Sequence, residues 1–160
     1  MFTSNPLSGN KAEQYQQLIA QCEALMHGER HRVANAANLC ALMFNSLSEV
    51  NWLGFYFLEQ GELIVGPFQG LPACVRIALG KGVCGTAAAT RETQLVPDVH
   101  AFPGHIACDS ASQSEIVVPL IKNGELIGVL DIDSPVLDRF DDTDKAAFEQ
   151  IAKLFCDGSD

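Results

Sequence analysis

Positive charge is scarce in this chain: 10 Lys and Arg stand against 20 Asp and Glu, a net charge of −10. Nucleic acids and anionic membranes need clustered basic residues, so neither is expected as a partner. A small cationic or zwitterionic ligand remains compatible with that balance. The N-terminus, Met1-Phe2-Thr3-Ser4-Asn5-Pro6, lacks a basic region followed by an apolar run. No stretch approaches the ~18 consecutive apolar residues of a spanning helix. Secretion and membrane insertion are therefore not expected, and a cytoplasmic setting is. Repeats, low-complexity blocks, linkers and Cys-x-x-Cys knuckles are also missing.

What is present is ordinary globular material, 48% hydrophobic and 19% charged over 160 residues. That length suits one domain spanning 1–160, and a chain of this size buries about 70% of its unfolded surface without staples. Residues 11–27 carry Tyr15, Leu18, Ile19, Cys22, Leu25 and Met26 at helical spacing, with Gly28 as a stop. A second helix is expected over 31–47 on the stripe Val33, Ala36, Leu39, Leu42 and Met43. Trp52–Leu58, Glu62–Phe68 and Ala73–Leu79 read as strands, Val83–Thr90 as a short Ala-rich helix and Thr93–Pro97 as a brief strand. Residues 98–113 form a long loop, a length that is usually functional in a small domain. Two further strands, Ser114–Ile121 and Leu126–Asp133, flank the hairpin signal at Asn123-Gly124. A last helix over 142–156, capped by Asp141 or Asp142, presents Phe148, Ile151, Ala152 and Phe155. This order predicts an α+β domain, an antiparallel sheet with helices gathered mainly on one face.

Six cysteines in a reducing compartment are packed, metal-bound or chemically used. Cys22, Cys40 and Cys156 sit among apolar neighbours and read as packed thiols. Cys74, Cys84 and Cys108 lie beside glycine- and proline-rich punctuation, and for them packed and working roles both stand. Cys84 falls at a helix start, where free amides favour a thiolate, and Cys74 is expected to share a strand face with Arg76. His105 could stabilise a Cys108 thiolate while Asp109 would oppose it. Zinc held by Cys84, His100, His105 and Cys108 is a competing reading whose spacing is unpersuasive.

Asp131 and Asp133 are two apart in a strand and share a face; the plain reading is a solvated strand end. Glu115 joins them or not according to hairpin register. A strict two-residue turn at Asn123-Gly124 pairs Lys122 with Glu125 and sends Glu115 to the opposite face. A three-residue loop pairs Ile121 with Glu125 and sets Glu115 across from Asp131. The second register is the expectation here. In a three-carboxylate cluster an ionised member can pair with an ammonium, and one with a raised pKa can donate a proton.

Several blocks now become specific: Gly66-Pro67-Phe68-Gln69-Gly70, Pro72-Ala73-Cys74, Gly80 to Thr86, Asp98 to Asp109, Ser114-Glu115-Ile116-Val117 and Gly128 to Ser134. With Asn51-Trp52 and Gly54-Phe55-Tyr56, they resemble the free methionine-(R)-sulfoxide reductases over about residues 51–135. The resemblance implies a GAF-like fold, α+β with a six-stranded antiparallel sheet. It implies thiol-dependent reduction of free methionine (R)-sulfoxide through a cysteine sulfenic acid and an intramolecular disulfide, recycled by thioredoxin, without metal or organic cofactor. It makes Cys108 the attacking thiol and Cys74 the first choice for resolving it, with Cys84 as alternative or relay. Trp52 and Tyr56 would line the methyl pocket, while Glu115, Asp131 and Asp133 would hold the sulfoxide and ammonium. A homodimer is left open. The main rival is a small-molecule sensor, which such folds also serve as and which would need the pocket without redox thiols.

Overall fold

The computed structural model describes residues 1–106 and 110–160. The chain opens with two helices, α1 (Lys11–Met26) and α2 (Arg32–Ser46). Asn10 and Glu13 form a reciprocal capping box at the start of α1, satisfying two otherwise orphaned amides. The strands follow as β1 (Trp52–Glu59), β2 (Glu62–Gln69) and β3 (Arg76–Ala78). Helix α3 (Gly82–Thr90), β4 (Gln94–Val96) and a 3-10 turn at Val99–Ala101 lead to the hairpin of β5 (Ser114–Lys122) and β6 (Glu125–Ser134). Helix α4 (Asp142–Gly158) closes the fold, capped by Asp141, which accepts from the Thr143 and Asp144 amides.

The described residues build a six-stranded antiparallel sheet in the order β3-β2-β1-β6-β5-β4. One face meets α1, α2 and α4, and there Leu53, Phe55, Ile116, Leu130 and Ile132 pack against Leu18, Leu39 and Phe155. Strand alternation sends Trp52, Tyr56, Val117 and Val129 to the other face, where they meet Val83, Cys84 and Ala87 of α3. The helix stripes follow the sequence with one exception. Val33 is 53% exposed, whereas Ala36, Leu39, Leu42 and Met43 are buried.

The β5–β6 hairpin departs from the expected register. Asn123 and Gly124 both have positive φ, 52° and 79°, and Lys122 pairs with Glu125: this is the strict two-residue turn. The register then shifts between Leu120 and Ile121, because Ile121 pairs with Leu126 while Leu120 pairs with Gly128. Ile127 is the extra residue of a β-bulge, and it restores the parity that the turn alone would have lost. Glu115 therefore pairs with Asp133, not with Asp131, yet lies on the face that carries both aspartates.

Candidate functional site

The sheet face opposite the long helices opens into a cleft with about 530 Å³ of empty space, continuous with solvent. Its lining includes Trp52 and Tyr56 of β1, Cys84 of α3, Glu115 of β5, and Asp131 and Asp133 of β6. Register explains the convergence. Trp52 pairs with Asp133 and Gly54 with Asp131 across β1–β6, while Glu115 pairs with Asp133 across β5–β6. Alternation then brings all three acids and both aromatics out on one side.

The aromatic wall is braced by its neighbours. The Trp52 ring stacks on Phe68, centroids 5.1 Å apart, and its Nε1–H donates to the Leu71 carbonyl at 3.1 Å. Gly54 makes room for this wall. A Cβ there would stand 2.3 Å from Phe68 Cβ and 2.7 Å from Trp52 Cη2, so only glycine lets the indole lie across the strand. Tyr56 tilts against Trp52 and donates its hydroxyl to the Cys74 carbonyl at 3.0 Å.

The solvated strand end expected for the aspartates is overturned. Asp131 is 5% exposed and Glu115 6% exposed, because α3 and the aromatic wall cover them. Burial, followed by the charges of Asp131 and Asp133, holds the Glu115 carboxyl well above the usual carboxylate range. Asp133 is likewise raised, by burial first and then by the neighbouring Asp131 charge. Burial raises Asp131 too, but hydrogen bonds from Glu115, Asp133 and Cys84 work against it. Burial thus pushes all three acids towards their neutral forms, and internal hydrogen bonds oppose that push most at Asp131.

Cys84 does occupy the first turn of α3, but it is buried, and burial together with the charges of Asp131, Glu115 and Asp133 pushes its thiol well above the ordinary value. Desolvation and three acids thus work against the thiolate that the helix amides favour. Cys74 does not share a strand face with Arg76, since β3 begins at Arg76, whose guanidinium instead pairs with Glu62 at 2.5 Å. Cys74 itself is disulfide-bonded. Cys108 lies outside the described residues, as does Asp109. Cys22, Cys40 and Cys156 are free and buried in the helical core, as their apolar neighbours imply.

His105 lines the cleft, and burial, with the charge of His100, holds its imidazole below the ordinary value. His100 is exposed and faces Asp98 at 3.3 Å. Among the described residues the metal-competent grouping is Cys84, Glu115 and Asp131, a different set from the histidine-containing competitor weighed on the sequence. Two contributors were given no part in the site by the sequence. Ser112 is buried, accepts from Asn51 Nδ2 at 3.2 Å and hydrogen-bonds Asp133, which lowers that acid's pKa. Gly54 is the other. A lone serine at a loop end carries no periodic signal, and the demand on Gly54 comes from a neighbouring strand.

A family model for the GAF domain matches residues 18–156. The chain is 56% identical over 155 residues to protein YtsP of Bacillus subtilis, covering 96% of this chain and 95% of that one. It is 53% identical over 142 residues to the free methionine-R-sulfoxide reductase of Escherichia coli, covering 89% and 86% of the two chains. It superimposes, at a TM-score of 0.95 and 42% identity, on the free methionine-R-sulfoxide reductase from Neisseria meningitidis solved with its substrate, covering 99% of this chain and 95% of that one. The chain belongs to the free methionine-R-sulfoxide reductase family of GAF domains. That makes it an oxidoreductase of the methionine sulfoxide reductase type. No helix among the described residues is long and apolar enough to cross a membrane.

Proposed function

We propose that this protein, as one domain over residues 1–160, reduces free L-methionine (R)-sulfoxide to methionine in the cytoplasm, with Cys108 as the attacking thiol and thioredoxin as the final reductant. One observation carries the reading: three carboxyl groups, held towards their neutral forms by burial, floor a solvent-open cleft walled by Trp52 and Tyr56. Glu115, the acid most firmly held protonated by its neighbours, donates to the sulfoxide oxygen. Asp131, where hydrogen bonds from Glu115, Asp133 and Cys84 oppose the upward push of burial, faces the substrate ammonium. The two aromatic rings enclose the S-methyl group.

The Cys108 sulfur attacks the sulfoxide sulfur, and the oxygen passes to it as sulfenic acid while methionine leaves as a thioether. Cys74 condenses with the sulfenic acid, forming a disulfide and releasing water. An external dithiol reduces that disulfide and is itself oxidised. The disulfide-bonded state of Cys74 and the buried, protonated state of Cys84 support Cys74 as the resolving thiol.

Turnover of the separated R and S epimers with thioredoxin, comparing wild type with Cys108→Ser, tests this reading. The R epimer alone should be consumed, and the variant should lose all measurable turnover. Substantial activity in the variant would remove Cys108 as the attacking thiol. Equal consumption of both epimers would remove the stereochemical assignment.

A further inference from the structure

We propose that Cys84, Glu115 and Asp131 form a binding site for one thiophilic divalent cation, Zn²⁺, whose occupancy excludes the substrate from the cleft. The exclusion rests on the function proposed above; the metal site does not.

The Cys84 sulfur and one oxygen each from Glu115 and Asp131 lie within 4.8 Å of one another. With metal–ligand bonds of about 2.0–2.3 Å, tetrahedral donors stand ~3.3–3.7 Å apart, so small side-chain rotations close the site. All three residues are buried. The three donors come from different elements, α3, β5 and β6, whose relative placement the sheet already fixes.

A second observation is independent of the clustering. Asp131 Oδ1 is fully buried and has no hydrogen-bond partner, as does Asp133 Oδ1. Unpartnered carboxylate oxygens facing a cleft are costly, and a cation is one way to satisfy them. Among the described residues, the ion pairs formed by Lys and Arg reach neither these aspartates nor Glu115. Lys81 lines the cleft, but its side chain is exposed.

Donor chemistry selects the ion. Mg²⁺ and Ca²⁺ call for six or more oxygens, whereas one sulfur and two carboxylate oxygens suit Zn²⁺. Binding forms one Zn–S and two Zn–O bonds, the Cys84 thiol proton and the Glu115 carboxyl proton leave to solvent, and no electron is transferred. Water or Asp133 completes the tetrahedron. Because the same acids are proposed to hold the substrate ammonium and sulfoxide, metal and substrate compete.

The full-length chain carrying Cys74→Ser and Cys108→Ser leaves Cys84 as the cysteine thiol lining the cleft. Titrating it with ZnCl₂ in a calorimeter should give one equivalent bound. Adding Cys84→Ser should weaken binding at least ~30-fold, and Asp131→Asn should weaken it comparably. Glu125→Gln, on the exposed end of β6, should leave it unchanged. Co²⁺ in place of Zn²⁺ should give a thiolate-to-metal absorption band that Cys84→Ser removes, and circular dichroism confirms that each variant is folded. Absence of binding, or binding that survives both Cys84→Ser and Asp131→Asn, overturns the metal site and leaves the reductase reading standing. Binding that methionine sulfoxide does not weaken overturns the exclusion. Zinc binding without epimer-selective turnover in wild type overturns the reductase reading instead.

Discussion

Asp144 and Asp131 are both buried carboxylates of this fold, set on opposite sides of the same sheet, and their surroundings differ completely. Asp144, at the start of α4, faces Lys11 at 2.5 Å and Arg139 at 3.2 Å, and accepts from the Tyr15 hydroxyl and the Asp141 amide. Every demand a buried charge makes is met there, and α1 is tied to α4 as a result. Asp131 has two acids and a thiol for neighbours and an oxygen with no partner. The first arrangement stabilises the fold. The second stores an electrostatic cost that a ligand can relieve, as sites built for function often do. One side of the sheet holds the molecule together; the other carries unmet electrostatic demands at some expense to stability.

Substitutions on the two sides should therefore move stability in opposite directions. The largest effect belongs to the helical side. Phe155 is fully buried, 4.6 Å from the Phe55 ring, and Phe155→Ala should cost about 3–5 kcal/mol in denaturant unfolding. The KM of the remaining folded enzyme should stay close to wild type, and a large rise would mean that the two faces are not independent.

On the cleft side, Glu115→Gln removes an acid that the fold keeps protonated. A raised carboxyl pKa contributes stability that is complete below the ordinary carboxylate range and is lost as pH rises through the raised value. The amide escapes that loss, so the variant should be more stable than wild type at pH 8 by about 1–3 kcal/mol. Its turnover should nonetheless fall about 100-fold or more. A variant that is both less stable and fully active would contradict the comparison.

A smaller and opposite pH response should come from the cap of α4. Slight burial would raise the Asp141 pKa, but the Asp144 amide and Lys11 hold it down to about 2. Its contribution is present above about 3.8 and fades as pH falls towards about 2. Asp141→Ala should cost about 1 kcal/mol near neutrality, with the difference narrowing in acid. Smallest of all, Val33→Lys should change stability by no more than about 0.5 kcal/mol, because Val33 faces solvent despite its place in the apolar stripe.

Much of the scaffold was legible from residue order. The helix spans, a cap at Asp141 or Asp142 and the six strands follow from local periodicity and turn chemistry, which are properties of short segments. The motif blocks around Gly54, Cys74, Cys84 and Glu115 pointed to the right family. Three features were not legible. The hairpin turn is of the strict two-residue kind, and only the Ile127 bulge returns Glu115 to the acid face. A bulge depends on packing across strands, so a single strand's sequence does not announce it. Cys84 was read from its helix position, where local amides favour ionisation, but its surroundings come from β5 and β6. Ser112 gained its role only when the chain brought it beside Asn51 and Asp133.

Sequence by itself determined the secondary structure, the α+β class, the acidic balance and the family, because each is written in neighbouring residues or in motif blocks. Tertiary structure alone decided which acids are buried, which of them keep their protons and which thiol is silenced. Those properties depend on desolvation and on charges from distant segments, and neither exists until the sheet has formed and α3 has closed over it.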